Sequence, residues 1–571
     1  MNSALQMNKL RNIVVRLLRG VGVVALVGIM ATEEASAQSS ERSRRDFELG
    51  KSTEILANIM REFEMGHVDN IKAGDLLNSA AQGMIAATDP YSEYIPEESM
   101  ADFEMLTTGR YAGVGSLIRK KGDYILFAQP YKGSPSDEAG VKIGDRILAI
   151  NGEDMKGRNA DEISSRLRGE PETIVEVVVE RSLDSTIDTL NITRRRISIP
   201  SVGYAGYIRD GIAYISHNDF IEGSYNEIRN ALESIMAADS LRGLILDYRS
   251  NGGGVMTEAV DIASLFVPRG QRIVSLMGRD SSSLHHYATE HAPIAADVPI
   301  VVLVNGASAS ASEILAGALQ DTDRAVIMGQ RTYGKGLVQG TRHVGYNGYL
   351  KYTTAKYYIP SGRCIQSRNY QSGGSATMVP DSLITEFRTA GGRKVYDGGG
   401  IVPDVKVEAE YVSRFALTLY AMGYMEDWAD EYMRKHHGET IDIRTFSLTD
   451  EDYADFCHFV EQKDAPYESE TRRALTALEK AAKSDRYDES LSEAIESLKD
   501  LIKDDKMSNM ETYREEIEEA ITSDVLLRYA YREGVMEHSA VNDAMVEQAI
   551  ELLLNREEYE RILREQDLDM H

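Results

Sequence analysis

The sequence predicts a multidomain α+β protein with a helical N-terminal segment, a small β-rich domain, an α/β core and a helical C-terminal domain. Three observations predict it. The length of 571 residues exceeds one ordinary core and suits three or four domains of about 150 residues. The period of the apolar residues changes character three times along the chain. The charge is unevenly divided: of a net −28, residues 401–571 carry −23, from 43 acidic and 20 basic side chains. The first 400 residues hold 48 acidic and 43 basic groups and are nearly neutral. With 42% apolar and 27% charged residues, wholesale disorder is excluded. Without a basic face to hold phosphates, nucleic acid is excluded as a partner.

The N-terminus has the pattern of a secretory signal over residues 1–37. Lys9, Arg11, Arg16 and Arg19 precede an apolar stretch from Gly20 to Met30, and Ala35-Ser36-Ala37 fits a small-x-small cleavage site. That stretch is shorter than the roughly 20 residues of a membrane span. An exported, periplasm-like location is therefore expected, with a retained membrane anchor as the alternative. Cys364 and Cys457 are too few for a disulfide framework and suit free thiols packed as small apolar groups. No cysteine pair has metal spacing, there is no H-E-x-x-H, and the histidines cluster only at His436-His437. Neither a metal nor another cofactor is expected.

Helical spacing marks the run from Phe47 to about Phe103, through Leu56, Ile59, Met60 and Phe63 and again through Leu76, Leu77, Ala80 and Met84; Asp89-Pro90 then breaks the helix. From about Gly109 to Arg194, short alternating strands with glycine turns take over. They include Tyr124–Phe127, Arg146–Ile150 before the turn Asn151-Gly152, and Ile174–Val179, with one helix around Ala160–Leu167. From about Ile197 to Val407, apolar strands alternate with helices. Leu244–Leu246 leads to a helix over Thr257–Phe266, Pro299–Val304 to one over Ser312–Leu319, and Val326–Met328 to a glycine loop. Beyond Glu408 the blocks Arg472–Ala482, Leu491–Ile502 and Met545–Leu563 repeat apolar residues at helical spacing among acidic ones. This acidic module reads as separate, with a solvated surface for solubility or self-association.

Reactive groups in open α/β sheets gather in loops beyond the strands' carboxyl ends, and three such loops stand out. Asp247–Gly254 ends in three glycines, which expose N–H groups and admit close approach of a ligand. Asn305–Glu313 carries Ser308, Ser310 and Ser312 just before a helix. A serine here could cap the helix or attack a carbonyl whose oxyanion the helix N–H groups would stabilise. Spacing alone does not choose among the three. Gly329–Gly336 mimics a phosphate-binding loop, but Gly336 stands where Ser or Thr should ligate magnesium and no helix follows. Its Lys335 lies among apolar neighbours; desolvation favours a neutral amine able to take a serine's proton. No histidine lies in these loops, so a Ser–Lys dyad is simpler than a Ser-His-Asp triad.

Together these segments resemble the carboxyl-terminal processing peptidases (tail-specific proteases) over about residues 50–407. The run Ala86–Tyr94 is similar to the family's segment ahead of its PDZ domain. Tyr111–Gly115 with Ser134–Asp145 looks like that PDZ domain, Leu246–Gly254 matches the glycine motif, and the serine run with Tyr333–Gly336 matches the catalytic segments. Gly252 stands where proline is common, and Glu172 where glycine is.

The resemblance implies a PDZ domain over residues 109–194, a crotonase/ClpP-like α/β catalytic domain over 195–407, and a helical domain over 408–571 behind an N-terminal helical segment over 38–108. It implies Ser310 as nucleophile, Lys335 as general base, Gln339 as the group orienting the lysine, and backbone N–H groups of Gly253 and Ala311 as the oxyanion hole. Gly113, Val114 and Gly115 would hold a substrate's terminal carboxylate as the peptide adds to the PDZ edge, and apolar C-termini would be preferred. The expected activity is serine endopeptidase cleavage near protein C-termini; the alternative is a catalytically silent PDZ adaptor. Membrane association and homo-oligomerisation stay open.

Overall fold

The computed structural model of the protein describes residues 43–370, 376–409, 411–464, 467–502 and 506–564. The expected export signal lies outside the described residues. No helix among the described residues is long and apolar enough to cross a membrane. The chain divides into two compact units, residues 1–87 and 88–571. In the first, residues 43–66 are helical and a second helix spans Ala73–Ala86.

The second unit departs at once from the helical expectation. After Asp89-Pro90, the segment Glu93–Ile95 is a strand, paired antiparallel with Tyr349–Lys351, and helix resumes only at Met100–Thr108. The strand's partner lies far along the chain, so local periodicity carries no trace of it.

The β-rich domain is entered through Arg110–Gly113 and left through Arg195–Ser198, two strands that pair with each other. Between them lies an antiparallel sheet in the order Ser116–Lys121, Tyr124–Pro130, Arg146–Ile150, Ile174–Glu180, Ile187–Thr193, with Glu153–Asp154 beside Arg146–Ile150. Alternation decides its faces: Val175, Val177 and Val179 are buried while Ile174 and Glu176 are exposed. Helix Ala160–Leu167 closes the domain, started by a reciprocal Asn159–Glu162 cap and burying Ile163 and Leu167. Glu172 takes the left-handed backbone of the glycine it replaces (φ 66°), at a cost of about 1–2 kcal/mol. Ser116–Lys121 is the outer strand, so among the described residues one of its edges is unpaired.

The α/β core holds six strands in chain order: Val202–Arg209, Ile212–His217, Gly243–Asp247, Ile300–Val304, Val326–Gly329 and Val405–Lys406. The first pair is antiparallel and the rest run parallel. Gly243–Asp247 and Ile300–Val304 are buried at every residue, as a sheet covered on both faces requires. Leu246, Val302 and Val304 pack on Ile228, Ile262, Ile314 and Leu315 from helices Ser224–Ala238, Met256–Ala263 and Ala311–Asp321.

The opposite face corrects the reading of the acidic module as a separate, solvated piece. Ile245, Val301, Leu303 and Met328 pack on Val546, Ala549, Ile550 and Leu553 of helix Ala544–Leu554 and on Tyr559 of helix Arg556–Arg564. The Tyr559 hydroxyl accepts the Ile300 N–H at 2.9 Å and donates to the Ile300 carbonyl at 3.0 Å. The other helices of the module build their own core around Phe415, Trp428, Phe456 and Ile517. Helix Arg514–Asn542 breaks at Tyr531 (φ 56°, ψ −170°), whose hydroxyl donates to Asp137 of the β-rich domain at 2.6 Å. Ion pairs Arg119–Glu426, Lys121–Asp427 and Lys132–Glu533 join the same two domains, so part of the acidity is spent on basic side chains of the neighbouring domain. Both cysteines are unpaired thiols.

Candidate active site

A cleft of about 750 Å³ gathers Ser310, Lys335 and Gln339 with the glycines 252–254. Phe103, Phe220, Met256, Ile314 and Val338 supply its apolar wall. Among the described residues no histidine lines it. His217, below the glycine loop, is 2% exposed, and burial pushes its imidazole down to about 3, so it stays neutral, packed edge-on against Phe220 and Tyr248 behind the cleft.

The three serines take different roles. Ser308 and Ser312 are fully buried and donate their hydroxyls to the carbonyls of Tyr248 (2.8 Å) and Asn251 (2.9 Å). They staple the glycine loop to the helix. Ser310, half-buried, caps helix Ala311–Asp321 and lines the cleft. Its backbone is strained (φ 58°, ψ −114°), a conformation that costs about 1–3 kcal/mol and needs surrounding support. Support comes from the Ser310 N–H donating to Glu313 at 2.8 Å and the Tyr357 hydroxyl donating to the Ser310 carbonyl at 3.3 Å.

Glu313 was not singled out from sequence, although Ser310-x-x-Glu313 has capping-box spacing and could have flagged it. Its fully buried carboxylate also accepts the Thr332 hydroxyl (2.5 Å) and the N–H groups of Gly334 (2.7 Å) and Lys335 (2.9 Å). One side chain thus ties the serine's backbone to the lysine's loop. Burial pushes this carboxyl up to about 7, against the pull of its four donors. The Tyr357 hydroxyl donates to the Lys335 carbonyl as well, fixing the loop from the other side.

The Lys335 ammonium lies 4.5 Å from the centre of the Tyr91 ring. Burial first and Lys351 second lower its proton affinity below lysine's ordinary value, with Glu313 and Asp89 opposing. Among the described residues no hydrogen bond joins it to the Ser310 hydroxyl. Gln339 donates to Thr353 Oγ1 at 3.3 Å and sits at a register shift in the hairpin of Leu337–Gly345 with Gly348–Tyr358, a bulge that re-aims its side chain.

Ala311 opens the helix, so its N–H lies among the donors that have no intrahelical partner. Gly253 (φ 97°) lies against it: a Cβ there would sit 2.8 Å from the Ala311 nitrogen and 2.6 Å from the Ala309 carbonyl oxygen, which only glycine avoids. The Gly253 N–H itself donates to Asn251 Oδ1 at 2.9 Å, so in this structure it is engaged inside the loop. Asn251 donates in turn to the His217 carbonyl at 2.7 Å. Arg249 binds Asp247 (2.6 Å) and Asp543 (2.7 Å), and Asp543 caps helix Ala544–Leu554. The C-terminal module therefore grips the glycine loop directly.

In the β-rich domain Gly113, Val114 and Gly115 are buried together. The Val114 carbonyl accepts the Ser136 N–H at 2.8 Å and the Gly115 carbonyl accepts the Tyr131 N–H at 2.9 Å. Burial pushes the Tyr111 phenol's proton affinity up, while the nearby Arg168 and the Gly115 and Ser116 N–H groups, on the side expected to hold a carboxylate, pull it down. Arg168 lies 5.7 Å from that phenol ring's centre. Sequence reading takes Tyr111 only as part of the PDZ motif and passes over Arg168.

Residues 211–373 match the model of "Peptidase family S41", residues 126–181 that of "PDZ domain", and residues 415–553 that of "Probable PDZ-protease, C-terminal helical domain". The chain is 31% identical over 379 residues to a probable CtpA-like serine protease of Staphylococcus aureus, covering 65% of this chain and 72% of that one. It is 35% identical over 295 residues to a carboxy-terminal-processing protease of Bartonella bacilliformis, covering 51% and 67%. A solved photosystem II D1 C-terminal processing protease aligns at 26% identity and TM-score 0.34, over 62% of this chain and 87% of that one. The chain belongs to peptidase family S41, as a C-terminal processing serine protease with a PDZ domain. The protease reading thus holds over the silent adaptor. The helical module, which sequence reading left outside the family, has a PDZ-protease model of its own.

Proposed function

We propose that the protein is exported to a periplasm-like compartment and cleaves proteins near apolar C-termini, with Ser310 as nucleophile and Lys335 as its base. The observation that carries this reading is the convergence of Ser310, Lys335 and Gln339 with the glycine loop on one apolar-walled cleft. Lys335, its proton affinity lowered by burial, takes the Ser310 proton as the oxygen attacks the scissile carbonyl. The oxyanion meets the Ala311 N–H and the glycine loop. The protonated lysine returns its proton to the leaving amine, and water then hydrolyses the ester by the same route. Gln339, within the cleft, orients the lysine. The substrate's tail adds to the free edge of Ser116–Lys121, its carboxylate displacing the Tyr111 phenol from the loop 113–115.

The test is cleavage of a folded reporter carrying an apolar C-terminal tail. Ser310→Ala and Lys335→Ala should each lower kcat by about 10³-fold or more while the fold and tail binding survive. Undiminished cleavage by Ser310→Ala sinks the assignment.

A further inference from the structure

The Asp-Pro-Tyr-Ser segment ahead of the PDZ domain has no part in the chemistry derived so far, yet it is built onto the base. Asp89 Oδ1 accepts the N–H groups of Tyr91 (2.8 Å) and Ser92 (2.9 Å), and its second oxygen accepts the Ser92 hydroxyl at 3.1 Å. The next three residues are locked into the sheet as the strand Glu93–Ile95. This turn delivers the Tyr91 ring to the Lys335 ammonium at 4.5 Å, within the range of cation–π contact. The ring is tethered at its far end. Its hydroxyl lies 2.8 Å from that of Tyr370 and donates to that of Tyr333 at 3.5 Å, and the Tyr370 ring meets it edge-on at 5.8 Å.

We propose that Tyr91 is a positioning residue for the base: its tethered ring covers the Lys335 ammonium and keeps water from it. This rests on the reading of Lys335 as general base. A lysine can take a proton from serine only as the neutral amine, and excluding water disfavours the charged form. The ring also attracts the cation, which works the other way. Burial is the largest influence on Lys335, and the ring lying over the ammonium contributes to it, so the direction of the midpoint shift is what the titration below reads. Around the ammonium, Lys351 acts with burial while Glu313 and Asp89 oppose it. The phenol of Tyr91 is held neutral by burial and by its tyrosine neighbours.

The experiment titrates Lys335 itself. In a Ser310→Ala background, trace acetic anhydride labels free amines. The labelling rate of Lys335, normalised to its high-pH plateau, is followed by peptide mass spectrometry from pH 6 to 11. Tyr91→Ala should raise the titration midpoint by about one pH unit, a roughly tenfold loss of neutral amine at any pH below it. Tyr91→Phe, which keeps the ring, should leave the midpoint near wild type. Tyr91→Gln, a polar chain of similar reach that leaves no void, should follow Tyr91→Ala and serves if the alanine variant fails to fold. In the Ser310-intact enzyme the acidic limb of the kcat/KM profile should rise in parallel, with activity recovering at high pH. An unchanged or lowered midpoint in the folded variants overturns the proposal. Full activity in Lys335→Ala would instead overturn the base assignment, a result the labelling does not depend on.

Discussion

Two glycine-bearing loops in this protein are proposed to present backbone N–H groups to a ligand, and they are held in opposite ways. The catalytic loop, Asp247–Gly254, is fastened from every side: by Asn251 within, by Ser308 and Ser312 from the helix, and by the Arg249–Asp543 pair from the C-terminal module. The PDZ loop, residues 113–115, is supported from behind by Ser136 and Tyr131, and on its other side its N–H groups lie near the Tyr111 phenol. Transition-state stabilisation needs donors that do not reorganise, whereas a binding loop can trade one occupant for another.

If the rigid side of this contrast is right, breaking the tie between nucleophile and base has the largest effect. Glu313→Gln turns an amide NH₂ toward N–H donors in either orientation, opposite Gly334 or opposite Ser310 and Lys335. Each unsatisfied donor costs about 1–3 kcal/mol, so kcat/KM should fall about 100-fold and the melting temperature should drop. Near-wild-type kinetics with a lower melting temperature would reduce Glu313 to a core residue.

A smaller effect is expected from Asp543→Ala, which removes a helix cap worth about 0.5–2 kcal/mol and one carboxylate partner of Arg249. Turnover should fall about tenfold with KM little changed. A change confined to stability would show that the glycine loop holds without the C-terminal module. The smallest effect tests the yielding loop. Tyr111→Phe removes the hydroxyl that lies near the Gly115 and Ser116 N–H groups; if it competes with a substrate carboxylate there, a fluorescent peptide with an apolar free C-terminus should bind about fivefold tighter, at about 1 kcal/mol for one hydrogen bond. An amidated peptide should gain nothing. Equal affinity in wild type and variant would mean that the phenol does not stand in for the carboxylate.

Much of this was legible in the sequence where the signal is local. The strand Ile174–Glu180 and the helix Ala160–Leu167 fall where the apolar pattern puts them, because each buries a regular face. Ser310 and Lys335 were reachable through the family's motifs, and the cleft holds both. What stayed hidden is non-local. Glu93–Ile95 is a strand only because Tyr349–Lys351 comes to meet it. The run Met545–Leu563 reads as one helix but breaks at Asn555 and covers a sheet face that the core sequence leaves bare. Tyr91 reads only as part of the segment Ala86–Tyr94 ahead of the PDZ domain, and nothing in its spacing points to a lysine more than two hundred positions away.

The cover that Ala544–Leu554 and Tyr559 provide has a bearing on how the enzyme comes into being. A chain made from its N-terminus forms the strands of the catalytic sheet long before the helices that close it emerge, so one face of that sheet waits open. Contacts this distant in sequence are slow to form. Ser310, Lys335 and the glycine loop can all have been synthesised while Asp543, the outer anchor of Arg249, has not. The helices that close this face and the outer anchor of the glycine loop are thus made together, after every strand of the sheet they complete.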